Sequence, residues 1–354
     1  MTGWEATADL GGHHSIAFKH FREKILNDAI NDLGINRIRL EIRSGIENPT
    51  DYYAKWQAGE ITEKEFEQKR YENINDDSNP KQINPEGFKW TQFDDVVENV
   101  VLPLRKISQA RGDVLQVNVN YVDFDPSTSL HRNNPEEYAE LVLATYQHLQ
   151  SEYGFVPDSW EVILEPDNGS WSAEQVAAAI KSAGEVLIAN NFKPNFIAPS
   201  TMNAEVTLAY IDKIAETPKI MEYISEFSYH RYSGVSDEVL QAIGERAKKY
   251  GKKTAMLELI GADYNVLHQD LKLANNSSWQ QYTLVYHNQP DNGAQYFLLN
   301  DKNPQNPTFE IASRTKFYVN ILEMCVLERS ESGRKLQINI LIHWLLSILT
   351  ADTF

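Results

Sequence analysis

The sequence predicts an α/β protein built as a closed (β/α)8 barrel, a TIM barrel, and three observations carry that prediction. Short β-branched runs alternate with longer segments of helical period, which is the pattern of successive βαβ units around a parallel sheet. Eight such runs are found, and the first is not followed by the Gly-rich turn of an open dinucleotide-binding sheet. The 354 residues exceed the roughly 250 of a typical barrel, leaving room for an insertion and a terminal extension.

The expected strands are GWEAT (3–7), NRIRLEIR (36–43), VLQVNVNY (114–121), SWEVILE (159–165), NFIAPS (195–200), ISEFSYH (224–230), KTAMLE (253–258) and YTLVYH (282–287). Helical period is expected at 18–33, 94–110, 135–152, 172–190, 203–216, 236–250 and 264–275, with a last helix at about 311–326. The barrel is therefore assigned to residues 1–327. A long charged and aromatic stretch, 44–92, falls on the loop after the second strand, with one short helix near 62–71. Long loops in compact domains are usually functional or disordered, so this one is either a solvated insertion or a wall of a cleft. The tail 328–354 changes character. It is either a packed terminal helix or sequence outside the native reading frame. Its apolar run INILIHWLLSILT has thirteen residues, short of the roughly 20 needed to span a bilayer.

Composition narrows the function classes. A net charge of −17 without a basic run argues against nucleic acid and membrane-surface partners. Cys325 is the single cysteine, which excludes an intramolecular disulfide or a Cys-rich metal site. No secretory leader is readable at the N-terminus. The expected location is cytoplasmic, or secreted or periplasmic if the N-terminus is truncated.

Active sites of such barrels lie at the C-terminal ends of the strands. The fourth strand ends in Glu165, stopped by Pro166, and the seventh ends in Glu258, 93 residues later, which places the two carboxylates across one mouth. Facing carboxylates are the minimal equipment for glycoside hydrolysis, provided their surroundings raise the pKa of the acid and keep the nucleophile ionised. The sixth strand brings His230 and Tyr232 to the mouth on one parity, and the phenol can donate a hydrogen bond to the nucleophile. The second strand alternates Arg37, Arg39, Glu41 and Arg43 with Ile38, Leu40 and Ile42, so the charges point inward and must be paired. Arg39 is the expected partner of Glu258, with Arg37 and Arg43 as alternatives. Asn120 on the third strand, Asn168 after Glu165 and Trp279 before the eighth strand are candidates for binding sugar hydroxyls and stacking on a ring. A strand-end carboxylate, a buried His-Tyr pair and a core indole would also have ordinary structural roles.

Glu165 within ILEPDN, His230 and Tyr232 within SYHRY, Glu258 within AMLELIG and the Arg-bearing second strand together resemble clan A of the glycoside hydrolases, nearest to families 30 and 39. The resemblance covers about residues 3–325. It implies a retaining mechanism with Glu165 as general acid/base and Glu258 as nucleophile, supported by Tyr232 and Arg39, with no metal and no cofactor. The expected substrate is an oligo- or polysaccharide, cleaved at an O-glycosidic bond of expected β configuration. The clan usually carries Asn before the acid/base, where it holds the 2-hydroxyl of the substrate; here that position is Leu164. The family often has an accessory β-sandwich, for which this chain leaves little or no sequence. The alternatives are a non-catalytic carbohydrate-binding barrel or an inactive truncated homologue. A metal-dependent barrel hydrolase is suggested only by Gly11-Gly12-His13-His14, and the fifth strand ends in Ser200 with no His to complete a site.

Overall fold

In a computed structural model, which describes residues 2–10, 16–124, 130–169, 171–286 and 290–319, eight parallel strands close into a barrel. They are β1 (Gly3–Thr7), β2 (Arg37–Arg43), β3 (Gln116–Val122), β4 (Ser159–Glu161), β5 (Phe196–Asn203), β6 (Ile224–Ser233), β7 (Lys253–Glu258) and β8 (Ser278–Thr283). Closure comes from β8 pairing with β1, with Gly3 opposite Ser278 and Trp4 opposite Trp279. A small antiparallel hairpin, β9 (Phe297–Asn300) and β10 (Thr308–Ile311), lies outside the barrel.

Local sequence explains the helices between the strands. Ser172 and Gln175 form a capping box at the start of helix Ala173–Ala189, while Ser236 and Asp263 cap helices Asp237–Tyr250 and Tyr264–Leu273. Gly154 and Gly251, at φ +70° and +64°, end helices Pro135–Tyr153 and Asp237–Tyr250 in the left-handed conformation that glycine adopts without steric cost. The loop after β2 carries the expected short helix, Glu63–Lys69, and one that the pattern did not reveal, Tyr52–Gln57. No helix among the described residues is long and apolar enough to cross a membrane.

The alternation of β2 is realised as expected. Ile38, Leu40 and Ile42 are buried in the hydrophobic core, and Arg37 and Arg39 point into the barrel. There Arg37 pairs with Glu5 of β1 and reaches Glu226 of β6 at 3.0 Å, and Ser278 of β8 donates to the other Glu226 oxygen at 3.0 Å. Asn118 of β3 donates to Glu5 at 3.1 Å and to Glu161 of β4 at 3.0 Å. Bonds between strands that are not neighbours identify these groups as a polar filling of the barrel interior.

Two expected strands differ. β4 is regular only to Glu161, because the chain then bends toward a special conformation at Glu165. β8 begins at Ser278, four residues before the apolar run YTLVYH, because the barrel seam is formed by the polar segment SWQQYT. Ser278 and Gln280 face inward, so Trp279 faces outward. Its ring stacks on Trp4 at 5.4 Å with an interplanar angle of 10°, Tyr318 lies 5.0 Å away, and its Nε1 donates to Asp270 at 3.0 Å. The last helix starts at 313, after β10, and is described to 319. Residues 11–14, Cys325 and the tail 328–354 lie outside the described residues.

Trp279 is fully buried in this seam. Replacing it with Ala should lower the unfolding free energy by about 3–5 kcal/mol, as for other large aromatic truncations, measured by chemical denaturation. A loss below about 1 kcal/mol would contradict a seam role.

Candidate active site

At the C-terminal mouth, the chain beyond β4 remains held between its neighbours. Leu164 donates its N–H to Tyr121 at 2.9 Å, and Glu165 donates its own to Ser200 at 3.0 Å. Glu165 then takes φ +50°, immediately before Pro166, and its carbonyl accepts from the amides of Asn168 and Gly169, both at 2.9 Å. A left-handed non-glycine residue costs about 1–3 kcal/mol, and such strain clusters at functional sites. The turn aims the Glu165 side chain at the mouth.

Glu258 closes β7. Arg39 Nη2 lies 2.6 Å from its Oε2, and the Tyr232 hydroxyl donates to its Oε1 at 2.9 Å. Across the mouth, His230 Nδ1 is 3.0 Å from Glu165 Oε1, and the Asn168 amide donates to Glu165 Oε2 at 3.1 Å. A carboxylate oxygen of each glutamate and a ring nitrogen of His230 all lie within 4.8 Å of one another. Both glutamates are 7% exposed.

Burial alone would raise the Glu165 carboxyl. The His230 hydrogen bond and charge outweigh it, helped by Asn168 and Arg39, and hold this carboxyl below its ordinary value. Burial correspondingly opposes the His230 imidazolium, but Glu165 and Glu258 raise its pKa above 6.5. This runs against the expectation that the surroundings of Glu165 would raise its pKa: the contact favours the ionised carboxylate and the protonated imidazole together. Burial and the adjacent Glu258 push the Tyr232 phenol up, so it stays a donor. Arg39 remains charged because Glu258, Glu161 and Glu41 together overcome its burial.

The other candidates separate. Asn168 is exposed at the mouth. Asn120 is fully buried in register with Glu41 and Glu161, and its amide makes no hydrogen bond among the described residues. Trp279 is on the outside of the barrel and is removed from the site. Sequence reasoning missed Tyr282 and Tyr286, whose half-buried rings lie 5.5 Å apart. Tyr282 sits 5.5 Å from the Arg39 guanidinium, and both phenols are raised by burial and by charges that include Glu258. Correct placement of β8 would have revealed Tyr282, which shares the inward parity of Ser278 and Gln280. Glu161 was also missed, although it shares the parity of Glu165 along the same run.

Two carboxylates and an imidazole this close could in principle hold a metal ion. The guanidinium of Arg39, however, already occupies one Glu258 oxygen with positive charge and the Tyr232 hydroxyl occupies the other, which opposes a cation there. The arrangement is better suited to proton transfer and nucleophilic attack.

No family model matches the sequence, and no curated protein matches it. Among solved structures, the catalytic domain of GH30 xylanase C from Talaromyces cellulolyticus is similar with a TM-score of 0.62 at 12% identity, over 90% of this chain and 74% of that one. SrfJ from Salmonella typhimurium gives 0.58 at 10% identity, over 90% and 73%. A hyperthermophilic endo-beta-1,4-glucanase in complex with substrate gives 0.52 at 13% identity, over 90% and 96%. The chain thus has a (β/α)8 barrel fold similar to that of these solved structures.

Proposed function

We propose that the protein is a retaining glycoside hydrolase that cleaves β-linked O-glycosidic bonds of an oligo- or polysaccharide by double displacement. The observation that carries this reading is the facing of Glu165 and Glu258 in unlike surroundings. One carboxylate oxygen of each lies within 4.8 Å of the other, an approach that supports a close pair of the retaining kind, whose carboxyl groups stand roughly 5–5.5 Å apart.

In the first step Glu258 attacks the anomeric carbon, the bond to the leaving oxygen breaks, and that oxygen takes the proton held by the Glu165–His230 couple through Glu165. Arg39 and Tyr232 hold the Glu258 carboxylate in its orientation until the ester forms. In the second step Glu165 removes a proton from water, the oxygen attacks the anomeric carbon, and Glu258 is released. Tyr282 and Tyr286 offer faces for a sugar ring beside the nucleophile. With Leu164 apolar, the exposed Asn168 amide is the hydroxyl-binding group nearest the acid/base, while Asn120 is sealed below it.

One observation favours a second reading, a non-catalytic carbohydrate-binding barrel: His230 holds Glu165 ionised, which makes it a poor acid in the free protein. A mechanism-based glycosidase inactivator separates the two. Covalent labelling of Glu258 supports the enzyme; saccharide binding without labelling supports the binding module.

Glu258→Gln should abolish turnover of every accepted glycoside. Glu165→Gln should cost about 10²–10⁴-fold in kcat on a natural linkage and much less in the first step on an aryl glycoside whose leaving group needs no proton. Full activity of either variant on a good natural substrate would remove the assignment.

The proton needed by the leaving group is lost as pH rises through the raised pKa of His230, so kcat/KM should fall on the alkaline side with a midpoint above 6.5. In His230→Gln the proton resides on Glu165 alone, and this limb should move to lower pH. A limb that stays in place would mean that His230 does not share the transferred proton.

A further inference from the structure

A second group of charges lies away from the mouth, where the insertion after β2 meets the helix after β3. Glu47 and Asp76 come from the insertion, and Glu137 and Glu140 from helix Pro135–Tyr153. Glu47, Asp76 and Glu137 each place a carboxylate oxygen within 4.8 Å of the others. Oxygens bound to one calcium ion at about 2.3–2.6 Å can lie at most about 5 Å apart, so this spacing fits a shared ion.

An independent observation comes from Glu140, which is not one of those three. It is 3% exposed, its carboxyl meets that of Glu137 and feels the charges of Asp76 and Glu47, and its Oε1 has no hydrogen-bond partner among the described residues. Glu137 Oε2 is also unpartnered, as are the carbonyl oxygens of Asn73 and Asn75 in the same loop. Among the described residues no Lys or Arg forms an ion pair with any of the four carboxylates; Glu47 meets a histidine, His131, whose Nε2 lies 2.6 Å from its Oε2. Several shielded carboxylates with so little opposing charge are costly unless a proton or a cation joins them.

We infer that this pocket binds one calcium ion, held by Glu47, Asp76, Glu137 and Glu140 with amide carbonyls of the loop. The donors are all oxygen, which selects a hard cation. Their number and mixed carboxylate and carbonyl character suit the six to eight ligands of calcium better than the small octahedral shell of magnesium, which retains its waters. The ion ties the 44–92 insertion to the barrel wall, since two ligands come from each side.

The test uses the full-length protein stripped with chelator and dialysed against radioactive calcium, with thermal unfolding followed in EDTA, calcium chloride and magnesium chloride. The expected result is one calcium per chain with a Kd below about 1 mM, and a Tm that rises with calcium and less with magnesium. Glu165→Gln should still bind one calcium, which separates this pocket from the catalytic mouth. Glu140→Gln, or Asp76→Asn at the half-buried rim if the former does not fold, should lose both the bound ion and the calcium-dependent rise in Tm. Absence of bound calcium with equal Tm in EDTA and calcium would overturn the inference and leave a proton shared by Glu137 and Glu140. Loss of the ion in Glu165→Gln, or its retention in a folded Glu140→Gln or Asp76→Asn variant, would overturn it as well.

Discussion

The Arg39 guanidinium, fully buried inside the barrel and 2.6 Å from Glu258, is the charge around which the mouth is organised. It is tethered from below by Thr7, which accepts from Nε at 3.0 Å, and Gln280 of β8 donates to the same hydroxyl at 3.1 Å. The first, second and last strands thereby fix its height in the barrel, and it fixes the Glu258 carboxylate. Removing one partner of such a buried pair costs about 3–5 kcal/mol, because the other is left charged and shielded. The paired charges beneath it, Arg37 with Glu5 and Glu226, follow from the same constraint: an inward-facing charged strand folds only if other strands supply the opposite charges.

The two glutamates differ because their elements differ. Glu258 completes a regular strand and meets a cation and a phenol. Glu165 follows a strand that loses its regularity, on a strained turn, and meets an imidazole and an amide. One carboxylate is held by a cation and a phenol, and the other is coupled to an imidazole, the side chain whose charge ordinarily changes near neutral pH.

What the sequence revealed and what it hid have physical reasons. The inward face of β2 was readable because charges at every second position can only be interior pairs or a solvated edge, and the barrel leaves no edge. Glu165 and Glu258 were readable because each terminates an apolar run. β8 was not, because its segment SWQQYT is polar: its inner face bonds within the barrel, as through Ser278 and Gln280, and needs no apolar pattern. Locating it four residues late left Trp279 outside the strand, so an outward indole stood in for the inward Tyr282. The pairing of His230 with Glu165 was hidden for another reason, since which carboxylate an imidazole faces depends on side-chain direction across strands. Glu47, Asp76, Glu137 and Glu140 have no motif spacing at all and meet only because the insertion folds back on the third unit of the barrel.

The stacked pair Trp4 and Trp279 has a consequence for how the molecule comes together. The seam it covers joins β1 to β8, two strands separated by most of the chain. Closing so long a loop is entropically unfavourable until the intervening units have shortened it by folding. During synthesis from the N-terminus, β1 can pair with β2 early but keeps one bare edge and an uncovered indole until Ser278–Thr283 emerges. The barrel is thus an open, edge-exposed sheet for most of its assembly, and the burial of two tryptophans marks the moment it becomes closed.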